Sequence, residues 1–170
     1  MSSVQDVPTA HTPPGGYGEV MPPPVLAGCD EPLAQAAPDL RGLWRAVDVQ
    51  TDGVPLPADH RLRGHVERIE QAGNRVVVTA GGVVHDMVAD GTFEHGVNDV
   101  MAADFVTPIT VAATFEHGAL VLRPRGMPDV EVRRWREGEQ LFWRYDTQFT
   151  MCLERVDDPT RSESHAHATG

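Results

Sequence analysis

The sequence predicts an all-β domain, a closed antiparallel up-and-down barrel of roughly eight to ten strands with an extended N-terminal tail and one short helical turn. Three observations predict it. Short apolar or alternating runs recur about every 8–12 residues from position 40 to position 156, with turn signals between them. No part of that stretch carries a sustained helical period of 3.6 residues. Finally, so many strands in about 115 residues will not lie as one open sheet, and closing the sheet removes its exposed edges.

The elements follow in order. Residues 1–32 hold seven of the chain's 14 prolines. The stretch Thr12-Pro13-Pro14-Gly15-Gly16-Tyr17-Gly18 and the run Pro22-Pro23-Pro24 exclude helix and central strand. Composition alone reads as a disordered tail. Yet Tyr17, Val20, Met21, Val25 and Leu26 are apolar, and a lid over an apolar opening, built on Tyr17, Met21, Val25 and Leu26, is the alternative. A helical turn is expected at 32–37, ending before Pro38. The barrel domain is expected over 33–156, with strands at 43–51, 62–71, 75–80, 83–88, 93–101, 109–115, 120–123, 130–136, 141–145 and 149–156. Asp52-Gly53, Gly73-Asn74, Gly81-Gly82, Asp90-Gly91, His117-Gly118, Arg125-Gly126 and Glu137-Gly138 separate them. Residues 157–170 are polar and expected to be disordered.

Composition narrows the function. The chain has 14 basic residues, all arginine, against 25 acidic ones, a net charge of -11. Such a surface repels phosphate backbones, so no nucleic-acid partner is expected. The absence of lysine excludes Schiff-base chemistry, and with abundant Ala, Gly, Val and Pro it resembles the product of a high-GC bacterial gene. No run of 18 apolar residues is present and the N-terminus has no basic, then apolar, signal-like region, so a cytoplasmic protein without a membrane partner is expected, monomeric or homodimeric.

Standard catalytic sets are missing. The serines are Ser2, Ser3, Ser162 and Ser164, all in the tails, which leaves no serine triad. Cys29 and Cys152 cannot make a cysteine-based zinc site, and Cys152 reads as a buried thiol without a base. The eight histidines show no H-E-x-x-H or H-x-E-x-H spacing, and Gly81-Gly82 is not followed by a helix pattern that would cradle phosphate. No metal and no cofactor are expected.

Strand alternation offers candidates for a binding interior. With Trp44 inward, Ala46, Asp48 and Gln50 share its face, although Asp48 and Gln50 also fit a solvated rim. Leu141, Trp143 and Tyr145 form one face of a late strand, and Val130, Val132 and Arg134 one face of its predecessor. An inward Arg134 needs a partner, because an unpaired buried charge is costly. Glu154, Glu131 and a ligand are the possibilities, and a surface arginine within Arg133-Arg134-Trp135-Arg136 is the alternative.

The order of these features resembles the calycins, the group of lipocalins and fatty-acid-binding proteins. Gly42-Leu43-Trp44 matches the G-x-W of its first strand. Residues 69–78, 114–121 and 134–141 resemble its hairpins. The resemblance implies a barrel over residues 40–156 that holds a small lipophilic ligand, with Arg134 facing the cavity. Two features depart from it. The helix-turn-helix lid is missing, since only 52–61 follow the first strand there, with Pro55 and Pro57. The final strand has no aromatic two positions after Arg155, so the carboxylate clamp of fatty-acid-binding proteins is absent.

A fainter resemblance is to the calycin-like, cofactor-free [4+2] cyclases of actinobacterial spirotetramate and spirotetronate antibiotic pathways, in which an N-terminal segment covers the barrel mouth. The reading is therefore a hydrophobic-ligand barrel with Trp44, Phe115, Leu141, Trp143, Tyr145 and Arg134 lining the site. On the cyclase reading, which is favoured narrowly, Arg134, Tyr145 and Gln50 are candidate hydrogen-bond donors to a folded polyketide-like substrate. A passive carrier of a small lipophilic molecule is the alternative, and a barrel filled by its own side chains a third.

Overall fold

The computed structural model describes residues 3–102 and 104–156; the expected C-terminal tail, 157–170, lies outside the described residues. Eleven strands follow one another: β1 Gly42–Thr51, β2 Val54–Pro55, β3 Val66–Ala72, β4 Arg75–Ala80, β5 Val83–Val88, β6 Val97–Val100, β7 Pro108–Glu116, β8 Ala119–Pro124, β9 Val132–Glu137, β10 Gln140–Tyr145 and β11 Phe149–Arg155. They form one antiparallel sheet in the order β5-β4-β3-β1-β11-β10-β9-β8-β7-β6, with β2 a short return on β1. Tight reversals make this meander possible. His117-Gly118 and Asp52-Gly53 both place two consecutive residues at positive φ (49° and 78°, 52° and 75°), the mirror-image turn that matches strand twist.

Alternation sorts the strands into an inner and an outer face. Trp44, Ala46, Ile69, Val76, Val78, Met87, Val97, Ala113, Leu120, Leu122, Val132, Leu141, Met151 and Leu153 form the buried interior. The sheet curls until β5 and β6 approach, but no ladder joins them. This seam is closed by other means. The Val88 N–H donates to the His95 carbonyl at 2.7 Å. Thr12 accepts from the Val84 N–H through its hydroxyl (3.1 Å), and its own N–H donates to Asp99 of β6 (3.0 Å).

Several expectations need correction. Residues 61–64 form a 3₁₀ turn, so β3 begins at Val66 rather than 62, and β6 begins at Val97 rather than 93. At 32–37 there is no helix. Leu33 makes a parallel bridge to Gly73, and a single turn follows, with the Ala37 N–H on the Ala34 carbonyl (3.0 Å). The carbonyl of Pro32 and the N–H of Ala34 are both taken by Gly73 (3.0 and 2.9 Å), which draws the chain into an extended shape instead.

The larger surprise is the N-terminal segment, which is bonded to the barrel rather than unattached. It runs up and back along the outer face of β3, β4 and β5. Arg75 and Asp86 pair on that face at 2.8 and 2.5 Å, and Arg75 also donates to the carbonyls of Val4 (2.9 Å), Val7 (2.6 Å) and Pro8 (2.9 Å). Asp86 accepts from the Ala10 N–H at 2.9 Å. On the return leg Glu70 accepts from the N–H groups of Val25 (3.1 Å) and Leu26 (2.7 Å). Leu26 then packs with Ala72, Val77 and Val84 in a second apolar cluster outside the barrel wall. This explains why β4 reads Val76-Val77-Val78 instead of alternating: it is covered on both faces.

Candidate functional site

The barrel has a filled end and an open end. At the filled end Trp44 and Leu141, both expected ligand contacts, have no exposed surface. The Trp44 indole donates to the Leu40 carbonyl (3.0 Å), and the guanidinium of Arg155 lies 4.5 Å from its ring. Phe115 packs against the same core. These residues form a floor.

At the centre an ion pair spans the interior between two walls that are not neighbours in the sheet. Arg134 of β9 points inward, as the calycin resemblance implied, but its partner is none of those foreseen from sequence. Its Nε and Nη2 donate to Glu67 of β3 at 2.9 and 3.3 Å. The His65 Nε2 lies 2.7 Å from the same carboxylate. Burial pushes the Glu67 carboxyl toward the neutral form, but Arg134 and His65 outweigh it and hold its pKa at about 2. The Trp143 indole covers Arg134, 4.4 Å from guanidinium carbon to ring centroid, and His65 packs on the same indole at 4.9 Å. Near this group the inward-facing His85 is shifted below its ordinary value, chiefly by burial, although its contact to the Val100 carbonyl (3.3 Å) opposes that.

Toward the open end the inward side chains are only partly buried. Tyr145 stacks on Phe149 (5.5 Å), and Trp143 meets Phe149 edge-on (5.0 Å). Ile109, Val111, Leu56 and Leu62 complete the rim. Leu56 and Leu62 come from the connection between β2 and β3.

The structure thus brings Arg134, Trp143 and Tyr145 together and leaves Trp44 and Leu141 in the floor. Gln50 is elsewhere. A β-bulge between Ala46 and Asp48 inserts Val47, so Val49 takes the inward position and Asp48 and Gln50 turn outward, where they bond each other at 2.7 Å. Their expected place on the Trp44 face is therefore corrected. Of the expected lid residues, Val25 and Leu26 lie against the outer wall, and the Tyr17 N–H donates to the Gly82 carbonyl (2.7 Å) at the tip of the β4–β5 hairpin. Met21 is half-buried on the same excursion.

Sequence reasoning missed Glu67, His65 and Phe149. Alternation from Ile69 would have turned Glu67 and Gln71 inward. Two open cavities lie on the outside of the barrel, one of about 400 Å³ beside Arg133, Trp135 and Arg144 and one of about 210 Å³ beside Gln50 and Thr150. Among the described residues no group of three or more His, Cys, Asp and Glu side chains could hold a metal ion, and no helix is long and apolar enough to cross a membrane.

No protein-family model matches the sequence. No curated protein matches it either. The solved structure of human cRBP IV, a cellular retinol-binding protein, is similar in backbone, with a TM-score of 0.52 over 69% of this chain and 98% of that one at 14% identity. The fold is calycin-like. At that identity the likeness concerns the path of the chain, and the site has to be argued from its own residues.

Proposed function

We propose that this barrel binds one small lipophilic molecule through its open end and acts as a carrier. The observation that carries the reading is the asymmetry of the interior. The floor around Trp44, Leu141, Met151 and Leu153 is sealed, while Trp143, Tyr145, Phe149, Ile109 and Val111 face inward at the other end without being fully buried. Apolar side chains left partly exposed at the open end favour an apolar guest, by about 25 cal/mol for each Å² removed from water. The structural neighbour is, by its name, a retinol-binding protein, and the same chain path with a lipophilic guest is in keeping with this reading.

The alternative is a cofactor-free [4+2] cyclase that uses the same open end to fold a polyketide-like substrate. Its main support was closure of the N-terminal segment over the mouth. The bonds found for that segment run along the outer wall through Arg75, Asp86 and Glu70, and carriage needs no closure over the mouth.

Titration of tryptophan fluorescence with a neutral apolar probe should saturate at one probe per chain. Ile109→Trp, which fills the mouth, should weaken that binding at least about tenfold, on the order of 1.4 kcal/mol. Unchanged affinity in a folded Ile109→Trp protein would move the site out of the barrel. Conversion of a linear polyene precursor to a cyclised product would replace carriage by the cyclase reading.

A further inference from the structure

We propose that the guest of this barrel is uncharged, a lipophilic molecule whose polar end is at most a hydroxyl or carbonyl group, and that carboxylates are rejected. This rests on the ligand-binding reading above and narrows its chemistry.

The argument starts from Arg134. An inward arginine in an apolar barrel would ordinarily call for an anionic guest, because an unpaired buried guanidinium is strongly unfavourable. Here the charge is already answered from across the interior. Glu67, which has no exposed surface, takes two hydrogen bonds from Arg134 at 2.9 and 3.3 Å. One flat face of the guanidinium is covered by Trp143 at 4.4 Å. The pair closes on itself and is neutral as a unit.

A carboxylate reaching it would have to displace Glu67 from Arg134, and Glu67 would then be a buried anion beside a second anion. The two histidines near this site offer a second anion little: His65 is already engaged with Glu67 through its Nε2 at 2.7 Å, and His85 is disfavoured from protonating by burial. What remains for the polar end of a guest is the Tyr145 hydroxyl, the Nδ1 of His65 and the buried Trp143 indole N–H, which has no partner, groups suited to a neutral donor or acceptor.

The test compares two probes of equal chain length, decan-1-ol and decanoate, on the full chain at pH 7.5 by tryptophan fluorescence. The alcohol should bind at least about tenfold tighter. Equal or tighter binding of decanoate overturns the inference while leaving the barrel a ligand binder. Failure of both probes to saturate overturns the ligand-binding reading itself, and the inference with it.

Glu67→Gln supplies the converse. It removes the internal counter-charge, so decanoate should gain about tenfold or more over the wild-type protein while decan-1-ol changes little. A folded Glu67→Gln protein without that gain overturns the role given to the pair. If this variant fails to fold, the wild-type comparison decides alone.

Discussion

Glu67→Gln should destabilise the folded protein by about 3–5 kcal/mol, the range for removing one partner of a buried ion pair. The side chain has no exposed surface, and its carboxylate serves three donors: Arg134 Nε at 2.9 Å, Arg134 Nη2 at 3.3 Å and His65 Nε2 at 2.7 Å. Glutamine preserves the volume but turns an NH₂ group toward donors, and it leaves Arg134 charged in a site with little solvent. Titration leads to a similar figure. Holding a carboxyl at about 2 rather than its ordinary 4.5 corresponds to about 3 kcal/mol. Because the folded pKa is depressed, this stability is fully present above pH 4.5 and is lost as pH falls through 2. Urea unfolding followed by tryptophan fluorescence, repeated from pH 7 down to pH 2.5, measures both. The gap between wild type and Glu67→Gln should be widest near neutral pH and should narrow below pH 4.5. Replacing both partners, as Glu67→Leu with Arg134→Met, should recover most of the loss, since a well-packed apolar pair avoids desolvating two charges. A Glu67→Gln protein within about 1 kcal/mol of wild type, or a gap that does not change with pH, would refute the reasoning.

Further predictions concern the wall, the floor and the histidines. Leu26→Ala should cost about 2–4 kcal/mol in chemical denaturation, as a core truncation does, because Leu26 is only 5% exposed against the outer wall; a cost below about 0.5 kcal/mol would return the N-terminal segment to a loose tail. Deleting residues 1–32 should lower the unfolding midpoint as well as any ligand affinity, since it strips three carbonyls from Arg75 and uncovers Val77 and Val84. An unchanged midpoint would count against the packing described for that segment. Leu141→Ala should destabilise by about 2–5 kcal/mol yet leave probe binding at the mouth nearly intact, which fluorescence titration of the folded variant checks. In NMR titrations the imidazole of His85 should protonate below 6.5 and that of His95, bonded to Asp90 at 2.6 Å, above it. The stability contributed by neutral His85 is therefore present above pH 6.5 and is lost as pH falls below that value.

The barrel was legible because its signals are local. Period-two runs, glycine-bearing turns and the lack of helical periodicity depend on neighbours within a few residues, and the strand content of the described residues, 46%, follows them. Alternation within single strands grouped Trp143 and Tyr145 with Leu141 and Arg134 with Val132, and only the resemblance turned those faces inward. Gln50 shows where that method stops. One extra residue, Val47, is invisible in the pattern Ala46-Val47-Asp48-Val49, yet it reverses the face of everything after it.

What the sequence by itself determined was the class of fold, the number and order of most strands, and the exclusion of serine-triad and Schiff-base chemistry. Only the tertiary structure decided which charge meets which. Arg134 and Glu67 are 67 residues apart and stand on non-adjacent walls, so no spacing rule could pair them. Likewise, the proline-rich start of the chain reads as disordered because its prolines exclude helix and central strand. Its order comes from Arg75, Asp86 and Glu70, whose side chains satisfy its backbone groups, and from the outer face of β4, whose valines need cover. Local patterns specify strands and turns because backbone geometry is local. Partners across a barrel are selected by closure of the sheet, which depends on all the strands at once.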